Sequence, residues 1–364
     1  MTATLFDPIQ LGAINAANRV LMSPLTRGRS TTGHVPMSDL KAEYYSQRAT
    51  AGLIIAEATG ISQEGLGWPS APGVWNDTQV AAWQPVTEAV HEAGGRIILQ
   101  LWHMGRLVHP DFLGGAQPVS ASATTAPGDA HTAEGKKPYA KARALETSEI
   151  PRVVEDYVNA AKNAIAAGFD GVQIHAANGY LIDQFLRDNS NFRTDQYGGS
   201  IENRLRLLRE VTQAVVDAIG ADRTSVRLSP NGETQGVEDS NPIPLFTAAA
   251  AALQDIGIAF LELREVKPYG NFGRTEVPRI SPQIREVFKG PLVLNQEYTK
   301  ELADADLASG LADAISFGRP YISNPDLLER LRTGAELTPD NYKTWYTPGA
   351  EGYTDYPFLE SADA

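Results

Sequence analysis

The chain of 364 residues has no cysteine. That excludes disulfides, thiolate metal sites, iron–sulfur clusters and a cysteine nucleophile. No apolar run approaches the roughly 18 residues of a membrane span. The opening Met-Thr-Ala-Thr-Leu-Phe-Asp-Pro lacks a basic segment followed by an apolar one, so no signal peptide is expected. Basic charge is also scarce: 31 Lys and Arg stand against 44 Asp and Glu, a net −13, which argues against nucleic acid and anionic membrane as partners. There is no Gly-x-Gly-x-x-Gly after the first apolar run, which counts against an open dinucleotide-binding sheet. With 42% hydrophobic residues the chain can build a large core. A cytoplasmic enzyme is the expectation.

What is present is a regular alternation of short apolar runs and amphipathic segments. Strands are expected at 19–24, 53–59, 96–103, 171–175, 223–230, 259–264, 292–295 and 314–317. Helices are expected at 38–50 with Ser38 as cap, 79–93, 148–167, 200–219, 244–256, 281–288, 299–309 and 324–332. Eight near-continuous apolar strands alternating with helices predict a (β/α)8 TIM barrel, with an open doubly wound sheet as the competitor. Residues 5–17 read as a β-hairpin plugging the end away from the active face. The alternation fails only from Gly105 to Thr147, a stretch rich in Gly, Pro, Ala, Ser and Thr. So long an irregular segment inside a compact enzyme is expected to be a lid after strand 3, with a disordered insert as the alternative. The whole chain reads as one barrel domain, 1–364, with 105–147 an insertion within it.

The stretch Gly171-Val-Gln-Ile-His-Ala-Ala-Asn-Gly-Tyr180 ends a strand in a polar turn. His175 and Asn178, three apart across that turn, can both aim donors at one oxygen. Tyr180 can bring a phenol from another side. Two donors on a carbonyl and a nearby acid polarise the carbonyl and deliver a proton. The alternative is a core histidine and a packing tyrosine. In a barrel, the other strand ends converge on the same face: Pro24-Leu25-Thr26, Ala58-Thr59, Gln100 with Trp102, Arg227, Glu262 or Arg264, Asn295, and Gly318-Arg319. They hold no cluster of carboxylates and histidines that would bind a metal. Lys267, in a loop, is the lysine nearest to a strand end. Gly318-Arg319 follows strand eight, where barrels hold phosphates, so a phosphorylated cofactor is expected. Arg227 either stabilises negative charge on an aromatic heterocycle such as a flavin, or pairs with a barrel glutamate, Glu57 or Glu262. Trp68 and Trp102 either wall a substrate pocket or simply pack.

The motifs Pro-Leu-Thr-Arg at 24–27, Glu-Ala-Thr at 57–59, Gln-Leu-Trp-His at 100–103, Gly-Val-Gln-Ile-His-Ala-Ala-Asn-Gly-Tyr-Leu at 171–181, Asn-x-Arg-x-Asp-x-Tyr-Gly-Gly-Ser-Ile-Glu-Asn-Arg at 191–204, Arg-Leu-Ser-Pro at 227–230, Phe-Gly-Arg-Pro at 317–320 and Gly-Tyr-Thr-Asp-Tyr-Pro at 352–357 span nearly the whole chain. Together they resemble the Old Yellow Enzyme family of FMN-dependent ene-reductases, in its bacterial, N-ethylmaleimide reductase-like form. The resemblance implies tightly bound, non-covalent FMN, with NADPH or NADH as reductant. It implies that Thr26 bonds the flavin C4 oxygen, that Pro24, Leu25 and Ala58 lie along the ring near N5, and that Gln100 and Arg227 bind its pyrimidine edge. Asn295, Gln296, Gly318 and Arg319 would hold the ribityl phosphate. His175 and Asn178 would bind the carbonyl or nitro oxygen of an activated alkene, and Tyr180 would protonate its α carbon. Trp68, Trp102 and Tyr356 would shape the pocket. Asn178 stands where other bacterial members carry a second histidine, and Trp68 where many carry tyrosine. A monomer or small homo-oligomer is expected.

Overall fold

The computed structural model describes residues 3–267 and 275–359. Eight parallel strands close on themselves: β1 (Val20–Met22), β2 (Leu53–Gly60), β3 (Ile97–Trp102), β4 (Gly171–His175), β5 (Thr224–Leu228), β6 (Leu261–Arg264), β7 (Leu292–Asn295) and β8 (Ala314–Phe317). β8 pairs with β1, so no edge is left open. The closed barrel is the predicted fold, and the open sheet is excluded.

Strand parity separates two surfaces. Val172 and Ile174 of β4, Val226 and Leu228 of β5, and Leu261 and Leu263 of β6 join the large cluster packed against the helices. The intervening residues point into the barrel. Near the strand starts they are apolar: Leu21, Leu53, Ile55, Ile98, Val293 and Ala314 share a second cluster with Leu11, Ile14 and Ala16 of the N-terminal hairpin. That hairpin, Ile9–Leu11 paired with Ile14–Ala16, therefore plugs the amino end, as expected. Further along each strand the inward positions turn polar: Gln100, Gln173, Arg227, Glu262, Asn295 and Ser316, all buried.

The helix ends depart from the sequence reading in several places. Ser38 does not cap the first helix, Ser38–Ser46: Met37 occupies that position, and the Ser38 hydroxyl instead donates to the Ala82 carbonyl. The helix expected from Ser148 runs Ile150–Ala166, and the turn before it carries a reciprocal capping box of Glu146 and Glu149. The segment expected as one helix at 200–219 is two, Ile201–Arg204 and Arg206–Ile219, meeting at Leu205. The last begins at Leu327, not Asn324. Two short helices were not anticipated, Leu181–Leu186 and Arg319–Ser323. Each is too brief to show a period.

The excursion at 105–147 is ordered. It holds two 3-10 turns, a hairpin of Asp129–Thr132 with Gly135–Pro138, and a parallel pair of Val119–Ser120 with Arg143–Ala144. Phe112 and Tyr139 of the excursion pack with Trp68, Trp102 and Tyr180 around one apolar cluster. Among the described residues no helix is long and apolar enough to cross a membrane.

Candidate active site

The carboxyl ends of the strands surround a cavity of about 1080 Å³. That is at the upper end for a small-molecule or cofactor site. Pro24, Leu25, Thr26, Asn178, Tyr180, Arg227, Asn295, Gln296, Gly318 and Arg319 line it. Backbone strain gathers here too. Asn178, Gln235, Gln296 and Glu297 line the cavity and are four of the six non-glycine residues with positive φ among the described residues. Such strain persists only where surrounding contacts hold it, and it concentrates at functional sites.

The turn after β4 is held closely. Asn178 (φ 59°) accepts a bond on its carbonyl from Gln235 Nε2 at 2.8 Å, and its N–H donates to Ser229 Oγ at 2.8 Å. Gly179 (φ 78°) follows, and a Cβ there would meet the Thr234 carbonyl at 2.6 Å, so the turn needs glycine. Tyr180 packs edge-on against both Trp102 and His175, with ring centroids at 5.0 and 4.8 Å. His175 is 3% exposed. Its Nδ1 accepts the Ala177 N–H at 3.4 Å, which puts the ring proton on Nε2. Burial, reinforced by Arg227 and Arg264, holds the His175 imidazole well below its ordinary pKa, so it is a neutral donor. Burial pushes the Tyr180 phenol up to about 12, with a Gln235 hydrogen bond opposing in part.

Arg264, at the end of β6, is the site residue that sequence reasoning left unassigned. Its Nη1 donates to Asn178 Oδ1 at 3.1 Å and its Nε to Gln296 Oε1 at 3.1 Å. With Oδ1 thus engaged, the Asn178 NH2 is the end left for a ligand. Burial beside Arg227 lowers the Arg264 guanidinium to about 10. The signal was its parity: Glu262 and Arg264 occupy inward positions of one strand.

Below the cavity lies a polar layer. Gln100 Nε2 donates to Gln173 Oε1, and Gln173 Nε2 donates to Glu262 Oε2, both at 2.8 Å. Ser316 Oγ donates to Glu262 Oε1 at 2.5 Å. Arg227 donates through Nη2 to Asn295 Oδ1 at 2.7 Å, while its Nε lies 3.6 Å from Glu262 without a hydrogen-bond partner. Of the two glutamates weighed for Arg227, Glu262 is the neighbour. Glu57 sits where the β2–β3 register slips between Ala56 and Thr59, and it meets Lys41 and Tyr45 of the first helix instead.

Ala58, Gln100, His175, Trp68 and Trp102 stand beside the lining rather than on it. Trp68 touches cavity-lining Tyr346 at 5.4 Å and His131 of the excursion at 4.9 Å. Tyr356, expected to shape the pocket, is not among the cavity-lining residues: its hydroxyl accepts the Asn341 N–H at 3.2 Å, and Trp345 with Tyr346 supply the aromatic wall from the C-terminal segment. The motif at 352–357 instead anchors that segment: Tyr353 stacks on Tyr44 at 4.0 Å. Lys267 donates to the Glu297 carbonyl at 2.6 Å.

A closed barrel with hydroxyl, amide and guanidinium donors around one cavity, a carboxamide and a phenol on its wall and an imidazole packed against the phenol fits a flavin-type oxidoreductase. The donor set fits an anionic flavin: Arg227 has a buried Nε without a hydrogen-bond partner, and Arg227, Arg264 and Arg319 all line the cavity. Residues 4–338 match the NADH:flavin oxidoreductase / NADH oxidase family, and the chain belongs to it. The chain is 62% identical to an Old Yellow Enzyme homologue from Zymomonas mobilis, covering 98% of this chain and 100% of that one at a TM-score of 0.96. It is 46% identical to morphinone reductase in complex with tetrahydroNAD, covering 99% of each chain at a TM-score of 0.93. It is 45% identical to 12-oxophytodienoate reductase 7 of Oryza sativa subsp. japonica, over 98% of this chain and 95% of that one. The protein is an FMN-dependent oxidoreductase of the ene-reductase type.

Proposed function

We propose that the protein uses NAD(P)H to reduce alkenes conjugated to a ketone, aldehyde, imide or nitro group, with the roles of its residues as follows. When bound, FMN supplies the hydride that reaches the β carbon of the alkene. His175 Nε2–H and the Asn178 amide hold the substrate's carbonyl or nitro oxygen. Both donors are neutral at working pH, so they stabilise charge that grows on that oxygen without binding a pre-formed anion too tightly. Tyr180 delivers the proton to the α carbon. Thr26, Gln100 and Arg227 hold the flavin ring, and Asn295, Gln296, Gly318 and Arg319 its phosphate. The excursion at 105–147, touching Trp68 through His131, serves as the lid. The protein works in the cytoplasm as a monomer or small homo-oligomer.

The observation that carries this reading is the grouping of His175, Asn178 and Tyr180 at one mouth, with the Asn178 amide oriented by Arg264. The test is Tyr180→Phe, followed by stopped flow. Flavin reduction by NAD(P)H should be retained, and reduction of cyclohexenone should slow by about 10²-fold or more, the usual worth of a positioned proton donor. Unchanged enone turnover would overturn the donor assignment. A purified protein that takes up no flavin would overturn the whole reading.

A further inference from the structure

The two side chains read as gripping the flavin's pyrimidine edge, Gln100 on β3 and Arg227 on β5, are joined inside the barrel by two that the reading does not use, Gln173 on β4 and Glu262 on β6. Register accounts for this: Gln173 is the partner of Gln100, and Glu262 is the partner of Arg227, each pair on adjacent strands. Glu262 is fully buried and lies outside the cavity lining. Its carboxylate only accepts. It takes Gln173 Nε2 at 2.8 Å, Ser316 Oγ at 2.5 Å and the near field of Arg227 Nε at 3.6 Å.

We propose that Glu262 is a positioning residue that sets the potential of the bound flavin through Arg227 and, through Gln173, fixes the orientation of the Gln100 amide. This rests on the flavin reading above. Two physical effects follow from its place. First, a buried anion at 3.6 Å offsets part of the Arg227 charge, and in this dry layer that offset is poorly screened. Arg227 therefore stabilises negative charge at the ring edge less than a lone guanidinium would. Second, the carboxylate fixes the direction of the amide chain. Glu262 can only accept, so Gln173 must point its NH2 at it and its oxygen at Gln100. Gln100 must then donate to Gln173 and keep its own oxygen for another donor.

The experiment is a dye-coupled reductive titration of the FMN-loaded protein. Glu262→Gln should shift the two-electron midpoint potential upward, raising the ratio of reduced to oxidised flavin at a fixed applied potential by about tenfold or more. Glu262→Asp keeps the charge at greater distance from Arg227, and should give a smaller shift of the same sign. It also serves as the deciding variant where the Gln form does not accumulate. Gln173→Met cuts the amide chain and leaves the carboxylate, so it should perturb the visible spectrum without the upward shift. A flavin-loaded Glu262→Gln protein at the parent potential overturns the proposal, as does a Gln173→Met shift equal to it. Failure of the parent protein to bind flavin would sink the functional reading instead, so the two failures are distinguishable.

Discussion

Arg264 shows how one side chain decides the polarity of a site. An asparagine can offer a ligand either its NH2 or its oxygen, and only the NH2 serves a carbonyl substrate. The guanidinium bonded to Asn178 Oδ1 makes that choice. Arg264→Met should therefore weaken binding of p-hydroxybenzaldehyde, a phenol whose oxygen the same two donors would take, by about tenfold as read from its charge-transfer band with the flavin, in keeping with loss of one charge-assisted bond. A band of parental affinity in that variant would show that the amide orients itself. The phenol at Tyr180 belongs to the same scale. Its pKa is raised to about 12 against an ordinary 10.0, so the proton-carrying form persists to higher pH than in a free phenol. The rate of alkene reduction should hold steady through about pH 9, where a free phenol already begins to titrate. A fall with a midpoint near 10 would mean that Tyr180 is not the donor or is less buried than the structure places it.

At the scale of elements, the C-terminal segment is held by two arginines that follow β1. Arg29, fully buried, donates to the carbonyls of Thr344, Trp345, Gly349 and Glu351. Arg27 donates to Trp345 and Gly352. These bonds fix the segment bearing Trp345 and Tyr346 over the cavity. Arg29→Met leaves several carbonyls without donors and should cost at least about 3 kcal/mol, given the usual cost of an unsatisfied buried group. Urea melts would measure that loss, and limited proteolysis should cut first within 341–357. Cleavage elsewhere would show that the segment is held by packing alone. Sequence reasoning saw Arg27 only as part of a motif, because a donor to carbonyls more than 300 residues away leaves no local pattern. The same holds for the slip in β2 that turns Glu57 outward: a bulge changes the facing of one residue without changing the apolar run around it.

The whole molecule divides into an apolar plug at the strand starts and a polar, cavity-forming half at the strand ends. The second half places several cations, among them Arg227, Arg264 and Arg319, around one space, which folding alone does not reward. An anionic cofactor filling it should stabilise the native state by mass action, by about 2.7 kcal/mol at a free concentration of 100 times Kd. Flavin-stripped protein should thus melt lower, and FMN should restore it more than riboflavin, which lacks the phosphate for Arg319. Equal restoration by the two would place the phosphate elsewhere.

The sequence by itself determined eight apolar strands alternating with helices, because runs of that length and spacing leave few other ways to bury that surface; that they close into a barrel rather than an open sheet rests on the pairing of β8 with β1. It also determined the turn bearing His175, Asn178 and Tyr180, because those three lie within six residues of one strand end. Tertiary structure alone decided what those groups face. Arg264 reaches Asn178 from two strands away, Glu262 lies beside Arg227 on the neighbouring strand, and Tyr346 rather than Tyr356 lines the cavity. Such pairings depend on register and on where a distant segment lands, and neither is written in any local stretch of the chain.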